Sequence, residues 1–258
     1  EIVETNSTDF KIGEEVLVTG FDLGMNTWGG FSQYISVPDS WIIQKPERLS
    51  LRHAMSLGTA GMTAGLAVSE LFLNDIKERG KVIITGTSGG VGTIALTVLS
   101  KYDYQVIAVS GNEKKYELIK KLGAKKIITR EELKQKLDKP LLKGIYDGAI
   151  DVAGGDTLAS ILKRTTHGGT VISCGLVDSP NLNTTVFPFI LRGIRLIGID
   201  SEECEINYRK KIWHMFANEW KFEFLDETLS EITLEEVPDY IPKILNGKIT
   251  GRVVIKID

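Results

Sequence analysis

Apolar residues along this chain fall into two regimes. From about residue 59 to 219 they gather in short runs rich in β-branched residues: Lys81–Thr87, Gln105–Ser110, Lys126–Arg130, Tyr146–Val152, Thr170–Gly175 and Arg195–Asp200. Such runs predict strands buried on both faces. Between them the spacing turns helical over Val91–Lys101 and Glu113–Leu122, and Gly123-Ala124 stops the second helix. Strands alternating with helices predict a six-stranded, doubly wound parallel sheet of α/β class, with helices on both faces.

The flanks carry a different pattern. Glu15–Thr19, Phe31–Val37 and Trp41–Gln44 read as short strands among Gly13, Gly20, Gly24, Gly29, Gly30 and Pro38. Toward the other end, Leu234–Asn246 is an amphipathic helix containing Pro238 and Pro242, and Gly247 leads to a last strand, Arg252–Ile257. The expected organisation is a β-rich domain of residues 1–58 and 222–258, interrupted by a dinucleotide-binding domain of residues 59–221. Glu1–Glu4 reads as the middle of a strand, with no initiator Met. A β-rich domain this small is thin for a self-sufficient core, so several tens of preceding residues are expected to be missing.

Composition adds little and excludes a few classes. The hydrophobic share of 42% and charged share of 25% are ordinary for a globular protein. A net charge of −3 without a basic stripe speaks against nucleic acid. The apolar runs read as too short to span a membrane, and no signal-peptide pattern opens the chain. Two distant cysteines, Cys174 and Cys204, imply a reduced, cytoplasmic protein.

Chemistry concentrates at Lys81–Ser110. The strand runs into Thr87-Ser88-Gly89-Gly90-Val91-Gly92, a T-x-G-x-x-G form of the glycine turn that cradles a pyrophosphate. Glycine permits the tight turn and the close approach of phosphate, and the following helix offers N–H groups and its positive end. The rival reading is a structural βαβ turn without ligand. The next strand ends at Ser110-Gly111-Asn112, with no Asp or Glu to bond the two ribose hydroxyls of NAD. Lys114 and Lys115 follow. This pattern favours NADP(H). The Ser110 hydroxyl and the Asn112 amide can bond a 2′-phosphate, with Lys115 and Lys114 supplying charge, although lysines also mark ordinary solvated helix starts.

Six segments carry a family resemblance: Gly13–Gly24, Gly29–Pro38, Leu57–Val68, Thr85–Ala95, Tyr146–Gly155 and Val186–Ser201. With them the chain resembles the medium-chain dehydrogenase/reductase superfamily. Within it, the chain is most similar to the zinc-independent quinone oxidoreductase branch and its YhdH/YhfP, acrylyl-CoA reductase-like group. The resemblance implies a GroES-like β-rich domain around a Rossmann domain. It implies an NADPH-dependent reductase that passes hydride to an α,β-unsaturated carbonyl, a quinone or an acyl-CoA thioester. Asn112 departs from the basic residue often found there, and the front of the catalytic domain is absent.

The resemblance also implies further cofactor contacts. Thr63 sits at the nicotinamide end, Arg130 against the adenine or its phosphate, and Val152 near the adenosine. Gly175 and Leu176 pass the nicotinamide ribose, while Phe189 and Ile190 run along the carboxamide. Arg252 matches an arginine brought onto the pyrophosphate, or is a structural strand residue. No catalytic acid is assigned, since the family's donors lie in the missing front segment. No zinc is expected: residues 1–80 hold no cysteine, and His53, His167 and His214 are dispersed. The rivals are an NADPH-binding redox sensor without turnover and, less well supported, a zinc alcohol dehydrogenase. The apolar Val186–Ile199 segment ends the strand order and implies a homodimer formed along the sheet edge.

Overall fold

The computed structural model describes residues 1–224 and 226–257. In chain order the elements are β1 (Val16–Leu17), β2 (Ile43–Gln44), α1 (Leu51–Leu73), β3 (Lys81–Ile84), α2 (Gly90–Lys101), β4 (Gln105–Val109), α3 (Tyr116–Lys121), β5 (Lys126–Ile128) and α4 (Arg130–Leu133). They continue as β6 (Tyr146–Asp151), α5 (Gly155–Arg164), β7 (Thr165–Ser173), α6 (Phe187–Arg192), β8 (Arg195–Gly198), α7 (Ile206–Ala217), β9 (Leu229–Thr233), α8 (Val237–Leu245) and β10 (Arg252–Lys256). The chain divides into two compact units, residues 63–199 and residues 1–62 with 200–258. Residues 200–221 therefore group with the flanks, whereas the sequence pattern joined them to the central domain.

The central unit is a six-stranded sheet in the order β5-β4-β3-β6-β7-β8, and every pairing is parallel. This is a Rossmann-type α/β fold. Its core follows from strand alternation. Ile83 faces Ile107 on one side and Ala149 on the other, and Ala149 faces Val171, so one row crosses four strands. All four are buried in one cluster with Leu158, Ile161 and Leu162 of α5. Those helix residues recur at i, i+3 and i+4, which sets them on one face. At Gly148 a Cβ would come 2.4 Å from Ile76 Cδ1, so close packing over the strand requires glycine there.

Three expectations need correction. Strand β5 stops at Ile128 rather than Arg130, because Thr129 and Glu132 form a capping box that starts α4 at Arg130. Phe31–Val37 forms no strand. There the Ser32 hydroxyl donates to the Tyr34 carbonyl at 2.7 Å, a local bond that competes with a ladder. Finally, Leu51–Leu73 is long and apolar enough to cross a membrane, but 72% of its apolar window is buried, as in a core helix. It bends at Gly58, whose φ of 50° is left-handed.

In the other unit β1 and β2 pair antiparallel, while β9 and β10 pair parallel. Arg209 of α7 is fully buried there. Its guanidinium donates to the carbonyls of Thr19 (2.8 Å), Cys204 (2.9 Å), Ser201 (2.6 Å) and Glu202. It also lies over the Phe21 ring, 4.4 Å from the centroid.

Candidate functional site

The turn after β3 is built by exclusion of side chains. A Cβ at Gly92 would sit 2.3 Å from the Gly86 carbonyl oxygen, and one at Gly86 would sit 2.4 Å from Val152 Cγ2. Gly86 also needs its φ of 60°. Helix α2 thus starts directly against the turn, and the Gly89 N–H closes it onto the Gly86 carbonyl at 2.9 Å. No side chain caps α2 at Gly89. Its first-turn N–H groups lack intrahelical partners by construction, which suits an anion. Ser88, Gly89, Gly90 and Val91 are half-exposed around them, whereas Thr87 is fully buried. The Thr87 hydroxyl turns inward to the Val109 carbonyl at 3.2 Å, so its side chain ties β3 to β4 and only its backbone is left for a ligand.

The end of β4 lies beside this turn. Ser110 is 7% exposed, and its Oγ accepts from the Asn112 N–H at 3.3 Å. The Asn112 Oδ1 accepts from the Lys114 N–H at 3.1 Å and caps the turn Glu113–Lys115. That use of Asn112 as a cap leaves only its amide N–H groups for a ligand. Lys114 is exposed. Lys115 is half-buried, and that burial pushes its ammonium pKa down. A partly desolvated ammonium interacts more strongly with an anion than a fully hydrated one. Tyr116, which the sequence did not single out, donates from its hydroxyl to the Ser110 carbonyl at 3.3 Å.

Arg130, Val152, Gly175 and Leu176 follow strands at the same edge of the sheet. Arg130 follows β5 and is exposed, Val152 follows β6, and Gly175 and Leu176 follow β7. A Cβ at Gly175 would stand 2.4 Å from the Val152 carbonyl oxygen, so the two loops touch through backbone. Leu176 is 65% exposed. In α6, Ile190 is exposed, while Phe189 is half-buried against the core cluster. Thr63 is buried in α1. Arg252 belongs to the other unit. Its Nε donates to the Ser56 carbonyl at 3.1 Å beside Gly58, and burial lowers its pKa. The structure therefore gives Arg252 a structural bond at the α1 bend.

Beneath this edge lies a group that periodicity does not mark as special. Asp151 ends β6 fully buried. Its Oδ1 accepts from the Thr85 hydroxyl at 2.8 Å and its Oδ2 from the Gly154 N–H at 2.7 Å. Burial raises its pKa, opposed by those two hydrogen bonds. Cys174 donates weakly to the Asp151 carbonyl at 3.5 Å, and burial pushes its thiol up to about 12.

The arrangement suits a dinucleotide: an uncapped helix start for the pyrophosphate, a hydroxyl and a cation after β4 for a 2′-phosphate, and loops after β6 and β7 along the same edge. Among the described residues no three His, Cys, Asp or Glu side chains converge to hold a metal. His53 packs against the Phe222 and Phe224 rings.

Known proteins align with this architecture. The family model described as zinc-binding dehydrogenase matches residues 90–218. The putative quinone oxidoreductase YhfP of Bacillus subtilis is 41% identical over 99% of this chain and 78% of its own length. Its crystal structure with NAD bound superposes with a TM-score of 0.96 over 99% of this chain and 78% of that one. The probable acrylyl-CoA reductase AcuI of Escherichia coli is 40% identical over 96% of this chain and 76% of its own. The yhdH oxidoreductase of Salmonella enterica, solved in complex with NADP, gives a TM-score of 0.96 at 40% identity, covering 99% and 79% of the two chains.

Proposed function

Because this chain belongs to the medium-chain dehydrogenase/reductase superfamily, in the group of quinone oxidoreductases and acrylyl-CoA reductases, we propose that it is an NADPH-dependent reductase of an α,β-unsaturated carbonyl compound, an acryloyl thioester or a quinone. The observation that carries the cofactor choice is the end of β4. Ser110 stands there with no Asp or Glu beside it in Gly111-Asn112, and half-buried Lys115 follows. A neighbouring carboxylate would repel a 2′-phosphate, whereas a hydroxyl and an ammonium attract it.

When bound, NADPH supplies the hydride for the electrophilic carbon of the acceptor. The protein contributes placement. Gly89–Gly92 hold the pyrophosphate with backbone N–H groups, Ser110 and Lys115 bind the 2′-phosphate, and Val152, Gly175 and Leu176 flank the rest of the cofactor. Arg130 supports the adenosine end. No residue of this chain is assigned as proton donor, and no step is assigned to zinc, for which no group of three His, Cys, Asp or Glu converges among the described residues.

An NADPH-oxidation screen against acryloyl-CoA, small enones and quinones tests the reading. Turnover with at least one acceptor class, and faster with NADPH than NADH, is expected. Tight NADPH binding with no turnover against any class would favour a sensor instead.

The same reading extends to assembly and compartment. Strand β8 is an edge of the sheet, and Val186, Ile190 and Leu191 just before it are more than half exposed. A second copy pairing at this edge would cover them, which favours a homodimer. Sedimentation at micromolar concentration checks it, and a monomer rejects it. The unpaired cysteines Cys174 and Cys204 suit the reducing cytoplasm.

A further inference from the structure

The loop that leaves β7 is fastened at one acidic residue. Asp178 Oδ2 accepts a 2.6 Å hydrogen bond from Lys134 Nζ and a 2.8 Å bond from Thr157 Oγ1. The two charged side chains are 29% and 26% exposed, so water and salt screen their attraction less than that of a surface pair. Lys134 stands immediately after α4, which follows β5. Asp178 follows β7. In the sheet β4, β3 and β6 lie between those two strands. The pair therefore joins segments that the sheet itself keeps apart.

The backbone of the loop is fixed as well. The Asp178 N–H donates to the Ala153 carbonyl at 2.7 Å, and the Val177 N–H to the Val152 carbonyl at 3.4 Å. A Cβ at Gly154 would meet the Ser179 carbonyl oxygen at 2.4 Å, and Gly154 and Gly155 take φ of 72° and 56°. The loop is thus pressed onto a turn that tolerates no side chains. Yet the two side chains it displays, Leu176 and Val177, are apolar and 65% and 79% exposed. A rigid mount carrying outward apolar groups at the ligand edge of the sheet is a feature of a binding wall rather than of a core.

We propose that Lys134 and Asp178 are a positioning pair for the nicotinamide half of NADPH, acting through the Gly175–Val177 segment that they hold in place. The inference rests on the NADPH reading above. It assigns to the pair a role separable from that of the glycine turn, Ser110 and Lys115, which hold the pyrophosphate and 2′-phosphate on other elements; Arg130, whose carbonyl accepts from the Lys134 N–H at 2.9 Å, is kept in every variant tested.

The test compares this chain with Asp178→Asn, Lys134→Met and Lys134→Arg. Calorimetry measures binding of NADPH and of adenosine 2′,5′-bisphosphate, a fragment that lacks the nicotinamide, and steady-state kinetics follow NADPH oxidation. Asp178→Asn and Lys134→Met should weaken NADPH by about tenfold or more and lower kcat, while fragment affinity stays unchanged. The retained fragment affinity also reports that the variants are folded. Lys134→Arg, which keeps the charge, should restore most of the loss. A parallel fall in fragment affinity would make the pair a general support of the fold and overturn the proposal. Unchanged NADPH binding and kcat in both variants would overturn it too. If the unaltered chain binds neither molecule, the NADPH reading fails with it, a result distinct from any outcome among the variants.

Discussion

Thr85 and Asp151 lock the ends of two adjacent strands together: Thr85 Oγ1 donates to Asp151 Oδ1 at 2.8 Å while accepting from the Val152 N–H at 2.8 Å. This brace lies directly under the turn that begins at Gly86 and the loop that begins at Val152. Both are parts of the proposed cofactor site.

Removing the carboxyl with Asp151→Ala leaves the Thr85 hydroxyl and Gly154 N–H without their acceptor. It should cost about 1–3 kcal/mol in urea unfolding. The pH dependence has a definite sign. Burial raises the Asp151 pKa in the folded protein, so folding favours its protonated form. That contribution is full below the unfolded carboxylate value and is lost as pH rises through the raised folded value. Subtracting the Asp151→Asn stability profile from the unaltered one should isolate this falling slope. A flat difference would mean the group titrates as in the unfolded chain.

Gly92→Ala places a Cβ 2.3 Å from the Gly86 oxygen and 2.7 Å from Thr87 Cα, both backbone atoms. The turn must shift, and NADPH affinity should fall by at least about tenfold, with about 1–3 kcal/mol of lost stability. Gly111→Ala is the control, because a Cβ there meets nothing within 4 Å. Equal affinities for the two variants would separate the turn from cofactor binding.

Cofactor preference should follow the residues after β4. Ser110→Asp combined with Lys115→Ala is expected to shift the kcat/KM ratio toward NADH. An unchanged ratio would place recognition of the 2′-phosphate elsewhere.

Cys174 should resist alkylation near neutral pH in the folded protein, since burial, reinforced by the Asp151 charge, pushes its thiol up to about 12. Peptide mapping after brief iodoacetamide treatment checks this. Labelling of Cys174 at the rate seen in denaturant would contradict the buried, protonated thiol.

The alternation of apolar runs and helical spacing by itself determined the parallel sheet and its strands, because strands buried on both faces must be apolar almost throughout. The glycine turn and the acid-free end of β4 determined the dinucleotide reading, since those choices act over a few neighbouring residues. Local pattern misled where a hydroxyl or a cap overrode it. Phe31–Val37 forms no strand and Ser32 bonds locally within it, while Thr129 with Glu132 converts Arg130 from strand end to helix start. Tertiary structure alone decided the roles that depend on distant partners. Asp151 reads as one more strand residue until Thr85 is found 66 positions away. Lys134 and Asp178 lie 44 positions apart in segments without a motif. The Thr87 hydroxyl reaches the Val109 carbonyl, which leaves the backbone of Thr87 for a phosphate. Periodicity reports which face of an element is buried; only the packed fold reports which polar group waits on the other side.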